Sequence, residues 1–107
     1  NKCNKTKYFE TEIYKDKDKY LLVKNDKFKF LKNLLIFPMR EVKEEKFNST
    51  LSKKINIKMS NMKMKIALNK KSKKTKIKNS YLLDKENIKT YVLPSFTKKI
   101  FKSVSKD

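Results

Sequence analysis

The side chains of this sequence that could act on another molecule are lysines. Eleven of them crowd into one stretch: Lys53, Lys54, Lys58, Lys63, Lys65, Lys70, Lys71, Lys73, Lys74, Lys76 and Lys78. No carboxylate interrupts them. Residues 46–83 carry 12 basic side chains and no acidic one, whereas residues 1–45 carry 12 and 8, and residues 84–107 carry 6 and 3. A lysine ammonium is a strongly hydrated point charge on a flexible stem. It neutralises a phosphate, but it lacks the planar fork with which arginine reads a base edge. The chemistry on offer is ionic capture of a polyanion without sequence preference.

Other chemistries lack their residues. There is no His, so the common general base near neutral pH is missing. There is no Gly, so neither a Walker-type phosphate loop nor a dinucleotide fingerprint can be built. Cys3 is the single cysteine, which excludes an internal disulfide and, without His, any cysteine-based zinc site. Glu41, Glu44 and Glu45 form a carboxylate cluster, but Arg40, Lys43 and Lys46 interleave with it. That alternation predicts surface ion pairs rather than a metal site. Ser72 has only lysines nearby to serve as a base. No enzymatic activity, cofactor, metal or small-molecule substrate is expected.

The lysines need elements to hold them. Ile55, Ile57 and Met59 alternate with polar residues, and Met62, Met64 and Ile66 alternate again with the phase slipped by one. A two-residue loop at Ser60-Asn61 explains the slip and predicts a β-hairpin over residues 53–68. Its register pairs Met59 with Met62, Ile57 with Met64 and Ile55 with Ile66 on a side facing protein. Asn56, Lys58, Lys63 and Lys65 turn to the other side. Residues 69–79 follow as an irregular basic segment. Only Ile77 is apolar there, too little to fold the segment on its own.

The remaining chain predicts further short elements. Tyr8–Tyr14 reads as an edge strand and residues 15–19 as a solvated loop of alternating charge. Tyr20–Lys24 and Lys27–Leu31 predict a second hairpin about Asn25-Asp26, pairing Val23 with Phe28 and Leu21 with Phe30. The rival there is a helix capped by Asp26 and running to Ile36. Val42, Glu45 and Lys46 fit a short helical turn. Tyr81–Leu83 and Ile88–Leu93 predict strands about a turn at residues 84–87. Pro94 ends the second strand. Ser95 then predicts the N-cap of a helix with Phe96, Ile100, Phe101 and Val104 on one face, and Lys98, Lys99 and Lys102 on the other. Phe28, Phe30 and Tyr91 are the clearest core aromatics, and Tyr81 is the candidate for stacking on a base. The longest apolar run, Leu34–Phe37, is far shorter than a membrane span, and no secretory signal is expected.

These elements imply one small α+β domain over residues 1–107, rich in β-structure. It is built from antiparallel hairpins with a basic loop and a C-terminal amphipathic helix. With 37% hydrophobic and 38% charged residues and a net charge of +19, its core is thin and its self-repulsion strong. An A/T-rich genome would inflate Lys, Asn, Ile, Phe and Tyr and deplete Gly, but it would not clear acids from one central block. The expected class is a structural constituent of a ribosome that neutralises rRNA phosphates between neighbouring ribosomal proteins. The expected setting is organellar, the mitochondrial matrix first, with another organelle or the cytoplasm as alternatives. The rival class is a basic accessory subunit of an organellar membrane complex, its final helix on anionic lipid. A nucleic-acid-binding protein outside the ribosome is the third.

Overall fold

The computed structural model describes residues 5–17, 19–59, 62–71, 80–90 and 93–105. The strands are β1 (Lys5–Asp16), β2 (Lys19–Lys24), β3 (Leu35–Ile36), β4 (Met39–Val42), β5 (Lys53–Met59), β6 (Met62–Lys71) and β7 (Ser80–Asp84). The helices are α1 (Glu44–Ser49), α2 (Lys85–Thr90) and α3 (Ser95–Ser105). This is a strand-rich α+β fold closed by a C-terminal helix, the class the sequence implies. The chain falls into two compact units, Asn1–Glu12 with Met39–Asn69, and Ile13–Pro38 with Lys70–Asp107.

In the first unit the strand order is β4-β1-β6-β5. Tyr8–Tyr14 was expected to be an edge strand, but β1 is flanked on both sides. Its consecutive residues Phe9, Glu10 and Thr11 are all buried, which requires cover on both faces of a strand. β4 pairs with it antiparallel from Tyr8↔Val42 to Thr11↔Met39. The short helix α1 opens with Glu44 and Glu45, whose charges suit the positive end of its dipole. It buries Phe47, whose ring centroid lies 5.2 Å from that of Tyr8.

In the second unit β2 is the shared strand. It pairs antiparallel with the end of β1 at Lys15↔Tyr20, with β3 at Val23↔Ile36, and with all of β7. The expected hairpin about Asn25-Asp26 does not form, and neither does the rival helix. Residues 25–34 form a loop instead, and the return strand is β3. Buried Asn25 organises that loop. Its amide donates to the carbonyls of Phe30 at 2.6 Å and Leu31 at 3.0 Å. Its Oδ1 accepts from the backbone N–H groups of Lys27 at 3.1 Å and Phe28 at 2.9 Å. One side chain thus satisfies backbone groups that strand pairing would otherwise have used. Leu31 at φ 53° and Asn33 at φ 65° complete the reversal. Phe28 and Phe30, expected in the core, are only half-buried and stack on each other with centroids 5.0 Å apart.

A second correction concerns Ile88–Leu93, expected as a strand. Residues 85–90 are helix α2. Asp84 Oδ1 accepts the Asn87 N–H at 2.8 Å, which caps the helix start and outweighs the weak β-propensity of this stretch. Tyr91 lies outside the described residues. The last helix, α3, buries Phe96, Ile100, Phe101 and Val104 and exposes Lys98, Lys99 and Lys102, as its spacing requires. Ser95 is its first helical residue rather than its cap. The Pro94 carbonyl accepts the Lys98 N–H at 3.1 Å. Buried Thr97 ties α3 to β3 by donating to the Leu35 carbonyl at 2.6 Å.

Candidate nucleic-acid interface

The hairpin β5–β6 has the register that its alternation predicts: Ile55↔Ile66, Ile57↔Met64 and Met59↔Met62. Ile57, Met64 and Ile66 are buried, and Ile55, Met59 and Met62 are partly so. The opposite face carries Lys54, Asn56, Lys58, Lys63 and Lys65, every one exposed. Ser60 and Asn61, the expected loop, lie outside the described residues. Asn56, Lys58, Lys63 and Lys65, with Ile57 and Met64, line an open groove of about 360 Å³.

Two features make this face electrostatically unsatisfied. Lys58 and Lys63 are direct cross-strand partners, and Lys65 stands one pair further along opposite Asn56. Like charges placed directly opposite one another destabilise a sheet. Among the described residues, no carboxylate ion-pairs with Lys58, Lys63 or Lys65. The acids of this unit that do form ion pairs are held elsewhere. Arg40 binds Glu10 at 2.6 Å and Glu12 at 2.9 Å, and Lys46 lies 3.6 Å from Glu10. The Glu12 hydrogen bond, with the charges of Glu10 and Glu12, holds the Arg40 guanidinium above its ordinary range against the opposing effect of burial. Arg40 was expected to pair within its own Glu41–Glu45 cluster. It reaches β1 instead, because β4 lies alongside β1 with Glu10 opposite Arg40. Loss of solvent around Tyr8, and then the nearby charge of Glu44, raise the Tyr8 phenol.

The eleven candidate lysines do not form one surface. Lys54 shares the face with Lys58, and its Nζ sits 5.3 Å from the centroid of the Phe47 ring, a cation–π contact. Lys53 pairs with Leu68, and strand alternation places it on the Ile55 side, away from the other four. Lys70 and Lys71 end β6 within the second unit, both exposed. Residues 69–71, expected as the start of an irregular basic segment, are strand instead, because β6 runs on to Lys71; Lys73, Lys74, Lys76 and Lys78 lie outside the described residues. Tyr81, the stacking candidate, is 48% exposed on β7. The Glu10–Arg40–Lys46 cluster was not foreseen. Its one signal in the sequence is that Arg40 is the only arginine among 30 basic residues.

No protein-family model matches the sequence, and no curated protein matches it. Among solved structures, the fold resembles a chain in the crystal structure of the complex between the C-terminal domain of mouse MUTYH and human PCNA. The two superpose with a TM-score of 0.65 over 94% of this chain and 88% of that one, at 12% sequence identity. At that identity the likeness concerns the fold alone. Among the described residues, no helix is long and apolar enough to cross a membrane.

Proposed function

We propose that this chain is a nucleic-acid-binding module that holds phosphates through the lysine face of β5–β6. The narrower reading is a structural rRNA-binding protein of an organellar ribosome. The observation that carries the proposal is a pair of facing lysines, Lys58 and Lys63, beside a third, Lys65, around an open groove with no carboxylate among the described residues to balance them. Such a face is destabilised in isolation and relieved by an external anion. Lysine supplies charge without base readout, so the ligand is the backbone and the role is architectural rather than catalytic.

The test is the salt dependence of RNA binding, followed by fluorescence anisotropy. Each phosphate contact contributes about 0.7 to 0.9 to the slope of log K against log salt. Replacing Lys58, Lys63 and Lys65 with Gln should flatten that slope by roughly 2 to 3 units, equally for unrelated RNAs. An unchanged slope, or a loss confined to one sequence, overturns the proposal. For the ribosomal setting, the protein should sediment with ribosomal particles and be released by ribonuclease.

The fold likeness favours a second reading, a domain that docks onto another protein, because the similar domain was crystallised with PCNA. Association with purified PCNA that persists when the three lysines are replaced would support it. Loss of association with that triple variant would return the contact to simple charge attraction.

A further inference from the structure

The strand β5 lies at one end of its sheet, and among the described residues it pairs with β6 alone. A strand paired on one side directs about half of its backbone N–H and C=O groups away from its partner. We propose that this edge docks an extended segment of another protein, one in which acidic and apolar residues alternate. The edge is a backbone feature, distinct from the phosphate contacts assigned to the lysine face, and it lies wholly within the first unit.

Three observations converge on such a segment. First, the edge is long and regular. All 7 residues of β5 pair with β6 in one unbroken register, and no proline interrupts them. Strands of about five or six residues are the norm, and natural edges are often kept shorter. Second, the apolar row of β5 is incompletely covered. Ile57 is buried, but Ile55 and Met59 on the same side are only partly so, whereas Met64 and Ile66 on β6 are fully buried. Leu51, two residues before the strand, is fully exposed. Apolar side chains of an added strand would stand beside Ile55 and Met59 and shield them. Third, Lys54 and Lys58 alternate with that row on the opposite side, and both are exposed. The cross-strand neighbour of Lys58 is another lysine, Lys63. A carboxylate on the added strand would approach Lys58 to about 5 Å between β-carbons and supply the opposite charge that β6 does not.

The same charges decide against other occupants. A second copy that paired its β5 antiparallel with this one about Asn56 would set Lys54 against Lys58 twice, and like charges directly opposite one another destabilise a sheet. The neighbouring stretches of this chain do not supply the complement, since residues 46–83 contain no acid. Lysine on an edge strand is a guard against unwanted pairing. Here it repels basic strands and admits an acidic one. The occupant is therefore an acidic–apolar strand from a different protein, held by backbone hydrogen bonds and placed in register by its side chains.

The test adds short fluorescent peptides to the 107-residue chain. A peptide of alternating Glu and Val should bind saturably by anisotropy and slow hydrogen exchange at alternate β5 amides, those not bonded to β6. Two control peptides should each bind about tenfold or more weakly, because they lose the side-chain register or the ladder hydrogen bonds. One has the same composition with its glutamates grouped at one end, and the other is the alternating peptide with every backbone nitrogen methylated. These controls read the proposal on the unaltered chain. Lys54→Glu/Lys58→Glu should transfer the preference to a peptide of alternating Lys and Val, whereas Lys98→Glu/Lys99→Glu on α3 should not. Equal binding of the grouped or methylated peptide reduces the contact to charge capture and overturns the proposal. So does β5 exchange that the alternating peptide leaves unchanged. Dimerisation of the free chain that protects the β5 amides overturns it in favour of a second copy. RNA binding is judged separately by its salt slope: a slope lowered by Lys58→Gln/Lys63→Gln, with no peptide effect on β5, keeps the hairpin reading and removes the edge.

Discussion

Reversing one charge on the hairpin should move stability and binding in opposite directions. Lys63 faces Lys58 directly, and facing β-carbons in an antiparallel pair lie about 5 Å apart. Taking the charged tips as roughly 6 Å apart, the repulsion in bulk water is about 0.7 kcal/mol. Lys63→Glu removes this term and adds an attraction of like size, a gain of about 1.4 kcal/mol before screening. At physiological ionic strength the Debye length of about 8 Å roughly halves it. Measured exposed pairs also set a ceiling near 1 kcal/mol per pair. The expected gain at low salt is thus about 1 kcal/mol, or a rise in melting temperature of roughly 4–8 °C for a chain of this size. Binding should fall in parallel. Lys63 no longer contacts phosphate, and Lys58 is engaged by the new carboxylate. The loss of two contacts lowers the salt slope by about 1.4 to 1.8. Differential scanning fluorimetry across a salt series and anisotropy titrations measure the two quantities. A drop in melting temperature, or a gain that does not shrink with added salt, refutes the electrostatic account. An RNA affinity unaffected by the reversal removes this face from the interface.

Four other outcomes follow from the same structure. Arg40→Ala should cost about 2–3 kcal/mol by chemical denaturation, because it leaves the buried carboxylate of Glu10 with Lys46 at 3.6 Å in place of the Arg40 contact at 2.6 Å; Arg40→Lys should recover only part of this, since Lys cannot reach Glu10 and Glu12 with a planar fork. Asn25→Ala should destabilise by about 2–3 kcal/mol and raise hydrogen exchange at the Lys27 and Phe28 amides, which lose their acceptor. Asp84→Ala should cost about 1 kcal/mol and reduce the helical circular dichroism signal, whereas Asp84→Ser should cost much less. The melting temperature of the purified chain should be lowest at low ionic strength and rise when a polyanion is added, because a net charge of +19 opposes compaction; a melting temperature that a polyanion leaves unchanged contradicts this.

The sequence by itself determined the elements whose pattern is local. The β5–β6 register was legible because a period-2 pattern changes phase across a two-residue loop, and one register alone buries Ile57, Met64 and Ile66 together. The buried stripe of α3 was legible because Phe96, Ile100, Phe101 and Val104 recur at helical spacing. Exposure of Lys58, Lys63 and Lys65 then followed from the same alternation. Tertiary structure decided whatever depended on competition between partners. Residues 27–31 alternate as a strand should, but the Asn25 side chain captures their backbone groups and leaves pairing with β2 to Leu35 and Ile36. Ile88 and Thr90 are β-branched, yet Asp84 caps a helix through them. Arg40 had three glutamates nearby in sequence and bound two others about 30 residues away, because strand pairing places Glu10 across from it. No sequence pattern joins Lys15 and Tyr20 to Lys70 and Lys71. Only folding brings residues some 50 positions apart around one cavity, since a long-range contact is set by which strands pair and not by the spacing along either one.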